Sequence, residues 1–294
     1  VQAGLKPVFV DINLNDYNAS VSEIISKITN KTRMILLIHV LGTSLNILKL
    51  KSRIKNKKII IIEDTCESLG AKFGKKYLGN FGEFGSFSFY YSHQITCGEG
   101  GMIVTNKKKN YDMLRVMRAH GWDRDLNKKN NKKFNFINMG FNLRPLEVSA
   151  AIASNQLKRL NKFKIQRHKN REKIIQNLKR HRRWDNQYHF VKTEKKLKPS
   201  WFGLPLLLTK KYLSRKKIII KNLNKKGIET RPIISGNFLN QKASKLYKFS
   251  ASSEKFPNAN YVEKAGFFIG LHTIPLDKKK LNLLTEELLR YKID

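Results

Sequence analysis

Ile59-Ile60-Ile61-Ile62-Glu63-Asp64-Thr65-Cys66-Glu67-Ser68-Leu69-Gly70-Ala71 is an apolar run of strand length that ends on two carboxylates and then meets a glycine. It reads as a buried strand delivering acids to a loop. Met34-Ile35-Leu36-Leu37-Ile38-His39-Val40 repeats the pattern upstream, and Val8-Phe9-Val10-Asp11-Ile12 is a shorter strand of the same kind. Continuous apolar strands are expected where helices cover both faces of a sheet. Val21, Ile24, Ile25 and Ile28 recur at helical spacing behind candidate caps at Asn18 and Ser20. Ser86 to Tyr90 and Gly101 to Thr105 predict two further strands, and Tyr111 to Ala119 a helix. Strands alternating with helices place the chain in the α/β class.

Pro145 suits the first turn of a helix running through Glu147, Val148, Ala151, Ile152, Gln156, Leu157 and Leu160. From Lys162 to Arg183 the composition turns basic, which sets an expected boundary between a large domain, 1–161, and a smaller C-terminal α+β domain, 162–294. Trp201 to Leu208 reads as a strand of the second domain, and the turn Lys225 to Pro232 leads into another.

An apolar content of 40% over 294 residues is enough for a sizeable core. No segment reaches the roughly 18 apolar residues of a membrane span, and the first residues carry no secretory pattern, so a cytoplasmic protein without membrane partners is expected. Two cysteines, Cys66 and Cys97, at no metal or disulfide spacing fit a reducing compartment. The net charge of +37 would ordinarily raise nucleic acid as a partner. The lysines are spread along the whole chain with many Asn and Ile, as in Asn127 to Lys133, which reads as solvated basic surface rather than a binding stripe.

Three segments together carry a resemblance: E-D-x-x-E-x-L-G-A from Glu63, G-x-x-G-x-F-S-F-Y from Gly82, and G-E-G-G-M-I-V-T-N from Gly98. From Val8 to about Phe268 the chain resembles the DegT/DnrJ/EryC1/StrS sugar aminotransferases, which have the type I pyridoxal phosphate fold of three α/β/α layers. In that family the residue five places after the strand serine is the lysine that holds pyridoxal phosphate covalently. Five places after Ser88 stands His93. An imidazole has no primary amine, so the resemblance implies unattached cofactor, as pyridoxamine phosphate, with His93 as a proton carrier.

This histidine form is similar to the family's sugar 3-dehydratases, which remove the C3 hydroxyl from a nucleotide-linked 4-keto-6-deoxyhexose. Glutamate serves as amino donor, and O-antigen or capsule sugars are the products' destination. An iron–sulfur cluster takes four thiolates and the chain has two cysteines, which favours the cluster-free branch acting on a GDP-4-keto-6-deoxymannose-like substrate. The resemblance assigns Asp64 to the pyridine nitrogen, Glu67 to the ring hydroxyl in place of a glutamine, and Ser88 to the phosphate. It assigns Asn142 to the cofactor phosphate of a neighbouring subunit, which implies a homodimer. His120, Arg231, Asn237 and His272 match stretches lining the sugar pocket, and the Gly98 to Gly101 turn allows backbone near the cofactor. The family's leading segment, with its phosphate-binding turn and ring-stacking aromatic, is expected to be absent. An ordinary sugar aminotransferase, a non-catalytic relative and a nucleic-acid binder are the alternative readings, in that order.

Overall fold

The computed structural model describes residues 1–55, 57–126, 133–247, 249 and 251–290. Most of the Asn127 to Lys133 run lies outside the described residues. Helix α1 (Val21–Ser26) follows Ser20, whose side chain makes no capping bond, and leads to strand β1 (Met34–Ile38). Helix α2 (Ile47–Arg53) is capped by the Asn46 side chain, which accepts from the Lys49 N–H. Strand β2 (Ile60–Asp64), the short β3 (Lys72–Phe73) and β4 (Lys76–Tyr77), β5 (Phe84–Ser88) and β6 (Gly101–Val104) come next. The first sheet has the order β1-β2-β5-β6, parallel across its first three strands and antiparallel at β6.

Both short helices pack on the same side of that sheet, where Ile35, Leu37 and Ile61 join Ile24, Ile47 and Leu50 in one core. The expectation that both faces would be covered is not met among the described residues. Leu36 is 55% and Ile38 49% exposed on the opposite side. The expected strand Val8–Ile12 is also absent; only Ile12 makes an isolated bridge, to Ala19. Asp11 is drawn away instead, accepting from the backbone N–H groups of Asn258 and Ala259 at 3.0 Å each, at the start of a C-terminal helix.

Helix α3 (Lys108–Arg118) is followed by the 34-residue helix α4 (Glu147–Arg180). Its N-cap is Leu146, so Pro145 lies just before the helix rather than in its first turn. The expected division between 161 and 162 falls inside α4, which passes through it without a break.

Strands β7 (Tyr188–His189), β8 (Leu197–Lys198) and β9 (Gly203–Leu208) lead to helix α5 (Lys216–Lys225), β10 (Thr230–Arg231), helix α6 (Pro257–Ala265), β11 (Gly266–Gly270) and helix α7 (Lys278–Leu288). The second sheet is antiparallel, β10-β11-β9-β7, and its apolar β9 sits in a second core with α5, α6, α7 and the last turns of α4. Tyr17, Val40 and Leu41 of the first half enter this second core, and Leu197 of the second half enters the first.

Candidate active site

Parallel strands bring their carboxyl ends to one edge of a sheet, where ligands of open α/β folds bind. Ile38 pairs with Asp64 and Asp64 with Ser86, so the loops after β1, β2 and β5 leave together. Their first residues are stitched across the edge: His39 N–H donates to Asp64 O, and Thr65 N–H to Ser86 O, both at 2.9 Å.

Asp64 accepts from the Cys66 N–H through Oδ1 at 3.1 Å. Burial pushes the Cys66 thiol up to about 12, helped by the Asp64 carboxylate, so it remains a neutral thiol. His93 closes a turn with its N–H on Tyr90 O at 3.0 Å. Its half-buried imidazole lies between the rings of Phe202 and Tyr90, with centroids 5.2 and 6.0 Å away. Burial lowers its pKa below the ordinary histidine value, while the charge of Asp64 pulls the other way. The Nδ1 atom is buried with no hydrogen-bond partner among the described residues. The Ser88 hydroxyl accepts weakly from the Tyr90 N–H at 3.3 Å, which leaves its own proton available.

Glu67 faces the loop after β1. Its Oε2 accepts from the Leu41 N–H at 2.9 Å, and burial, with repulsion from Asp64, pushes its carboxyl up to about 7. The approach needs a crossing in which Gly42, at φ +94°, passes so near Ser200 that a Cβ would lie 2.1 Å from the Ser200 carbonyl oxygen. Beneath this edge, Glu63 is fully buried and accepts from His39 Nε2 at 3.0 Å and from the N–H groups of Gly79, Phe81 and Gly82 at 2.6 to 2.8 Å. Burial alone would raise its pKa, but those donors outweigh it and hold the carboxyl below its usual range.

The structure therefore brings Asp64, Glu67, Ser88 and His93 to one edge. Arg231, on β10, reaches the same loop by donating from Nη2 to Tyr91 Oη at 3.4 Å while it pairs with Glu229. His272 is exposed, and its neighbour Leu271 is tied to the site loop by Arg167, whose Nε donates to Leu271 O and Nη1 to Gln94 O. Asn142 and His120 lie together elsewhere: Asn142 bridges Ala119, His120 sits at φ +62°, and both are exposed along the 133–146 segment beside the end of α3.

Asn237 is held within its own neighbourhood. It is buried, caps a short helical turn by accepting from the Leu239 N–H, and donates to Ser253 O and Asn260 Oδ1. Its side-chain amide is thus engaged in local hydrogen bonds. The Gly98 to Gly101 turn folds back on its own loop, with Phe89 N–H on Gly100 O and Cys97 Sγ on Glu99 O. Gln94, Glu63 and Tyr91 were not singled out from sequence; a buried Gln beside His93 has no local signature.

These groups fit a pyridoxal-type cofactor. A carboxylate at a strand end suits a pyridine N–H, a hydroxyl with a free proton suits a phosphate oxygen, and an imidazole whose Nδ1 makes no hydrogen bond among the described residues can carry a proton. No helix among the described residues is long and apolar enough to cross a membrane.

Residues 1–279 match the DegT/DnrJ/EryC1/StrS aminotransferase family. The chain is 39% identical over 287 residues to the GDP-4-keto-6-deoxy-D-mannose 3-dehydratase of Escherichia coli O55:H7, a match covering 94% of this chain and 72% of that protein. The fold superposes on a GDP-4-keto-6-deoxymannose-3-dehydratase (ColD) mutant, histidine to asparagine, with bound GDP-perosamine. The TM-score is 0.89 at 36% identity, over 98% of this chain and 75% of that one. A structure of the same dehydratase with a trapped PLP-glutamate geminal diamine superposes with a TM-score of 0.87 at 37% identity, again over 98% and 75%.

Proposed function

Because the chain belongs to the DegT/DnrJ/EryC1/StrS aminotransferase family, we propose that it is a pyridoxal/pyridoxamine phosphate-dependent nucleotide-sugar 3-dehydratase, removing the C3 hydroxyl of a GDP-4-keto-6-deoxymannose-like sugar with glutamate as amino donor. The observation that carries this reading is His93. It occupies the position from which the aminotransferases of the family hold their cofactor by a lysine amine, and it brings a neutral, half-buried imidazole with an unpartnered Nδ1. The dehydratase relatives support the same assignment.

When bound, the cofactor supplies a primary amine for the sugar ketone and an aromatic ring that takes up electrons. Asp64 would hold the pyridine nitrogen protonated, Ser88 would donate to the phosphate, and Glu67 would face the ring hydroxyl. His93, kept neutral by burial, would take a proton from the carbon bearing the cofactor's amine and deliver it to the C3 hydroxyl, which would depart as water. Phe202 and Tyr90 shield that imidazole from bulk solvent on two sides. Arg231, tied to Tyr91, and His272 are the remaining candidates for the sugar or its phosphates.

A homodimer is part of the same proposal. The 133–146 segment exposes Phe134, Phe136, Met139, Phe141 and Leu143, with Met139 at 87%, a run that solvent does not favour and a second subunit would cover. Asn142 sits within that run. In this reading residues 1–161 carry the cofactor groups, residues 162–294 close the sugar side, and the protein works in the cytoplasm, a location that a nucleotide-sugar substrate supports.

The test is to incubate the protein with pyridoxal phosphate and glutamate, treat it with borohydride and weigh the intact chain. Bound but unattached cofactor, together with loss of the C3 hydroxyl from GDP-4-keto-6-deoxymannose, is the expected result. A covalent lysine adduct would mean an aminotransferase, and no bound cofactor would mean a non-catalytic relative.

A further inference from the structure

We propose that Gln94 is a positioning residue whose side-chain amide clamps the loop carrying His93 to the loop carrying Glu67 and to the segment before β9, fixing the two groups against each other. This rests on the dehydratase reading above. Gln94 is 2% exposed. Its Nε2 donates to the Glu67 carbonyl and, at 3.3 Å, to the Ser200 carbonyl. Both amide protons are thus spent on cross-links between segments that are distant in sequence.

Each anchor is itself held. Ser200 donates through Oγ to Leu69 O at 2.6 Å and through its N–H to Gly42 O at 3.0 Å, which joins it to the loops after β2 and β1. The main-chain carbonyl of Gln94 accepts from Arg167 Nη1 at 3.5 Å, and Arg167 Nε holds Leu271 O at 3.2 Å. Gln94 therefore stands where four segments meet, one residue from His93. Its Oε1 is buried with no partner among the described residues. An unmet buried acceptor is unfavourable, and an apolar side chain of similar size would remove it. What such a side chain would not supply is the pair of N–H donors that hold Glu67 and Ser200.

The test uses Gln94→Leu in the full chain, with two readouts. The first is turnover of the cofactor-loaded protein, where a misplacement of this kind is expected to lower kcat about 100-fold with KM altered about twofold or less. The second is the titration of the His93 imidazole by NMR in cofactor-free protein, its signal assigned by comparison with His93→Asn. Burial holds His93 down in the clamped loop and Asp64 opposes it, so release of the loop should move the midpoint upward, toward the ordinary histidine value. A purely structural role would lower the thermal midpoint and leave both readouts in place, and that result overturns the proposal. If Gln94→Leu does not fold, Gln94→Asn, whose amide is set back by one methylene, is measured in the same way. If the unaltered protein removes no hydroxyl, the dehydratase reading fails, and the imidazole titration alone decides whether Gln94 positions His93.

Discussion

The Leu41 N–H donates to Glu67 Oε2 over 2.9 Å from a left-handed backbone conformation, φ +48°. A non-glycine residue there is strained by about 1–3 kcal/mol, and it persists only where its surroundings fix it. The strain places a donor on a carboxyl that burial would otherwise leave without one.

Glu67 should make stability depend on pH. Its folded-state pKa, about 7, lies above the ordinary 4.5, so the native state binds the proton more tightly than the unfolded chain. Stability is then greatest at and below about pH 4.5 as far as this group is concerned, and it falls as pH rises toward 7, by about 3 kcal/mol at most. Glu67→Gln should flatten that fall. Thermal midpoints at pH 5 and pH 8 check it: an unchanged difference between the two proteins rules out Glu67 as the source.

His93→Asn should lower turnover by about 100- to 10,000-fold, the range ascribed to a general acid–base group, while pyridoxal phosphate binding followed by absorbance persists. Retained turnover would remove His93 from the proton path.

Asn237→Ala should cost about 1 kcal/mol of stability through the lost cap and the unpaired Ser253 and Asn260 groups, and should leave KM for the nucleotide-sugar unchanged. A raised KM in a normally stable variant would return Asn237 to the sugar pocket.

Met139→Asp with Phe141→Asp should convert a dimer to a monomer, read by sedimentation, because two charges cannot be buried unpaired in an apolar contact. Both side chains are exposed within the single chain, so the far-ultraviolet circular dichroism should not change.

The strands at Met34, Ile60 and Gly101 were legible because an apolar run between turn residues has few other uses. The grouping of Asp64 with Ser88 and His93 came from the family resemblance, and the parallel strands give its physical reason, since they deliver their ends to one edge. Val8–Ile12 has the same apolar character but finds no partner strand: Asp11 serves a helix start nearly 250 residues away. Sequence periodicity holds no record of such distant obligations. Gln94, Glu63 and Leu41 were missed for the same reason, as their roles exist only through partners on other segments. Asn237 shows the reverse case, because a family position says nothing of whether the amide is also engaged in a cap.

Helix α4, about 50 Å long at 1.5 Å per residue, is one unbroken rod that packs into the second core and also reaches the loop after β2. Lys164 reaches Gly70 O near its middle, Asn170 holds His272 O and Ile274 O further on, and Asn177 meets Thr285 near its end. With Leu197 lodged in the first core and Tyr17 in the second, the two halves are interlocked rather than joined by a tether. A recombination point inside α4 would therefore part each core from a side chain it needs, Leu197 from the first and Tyr17 from the second.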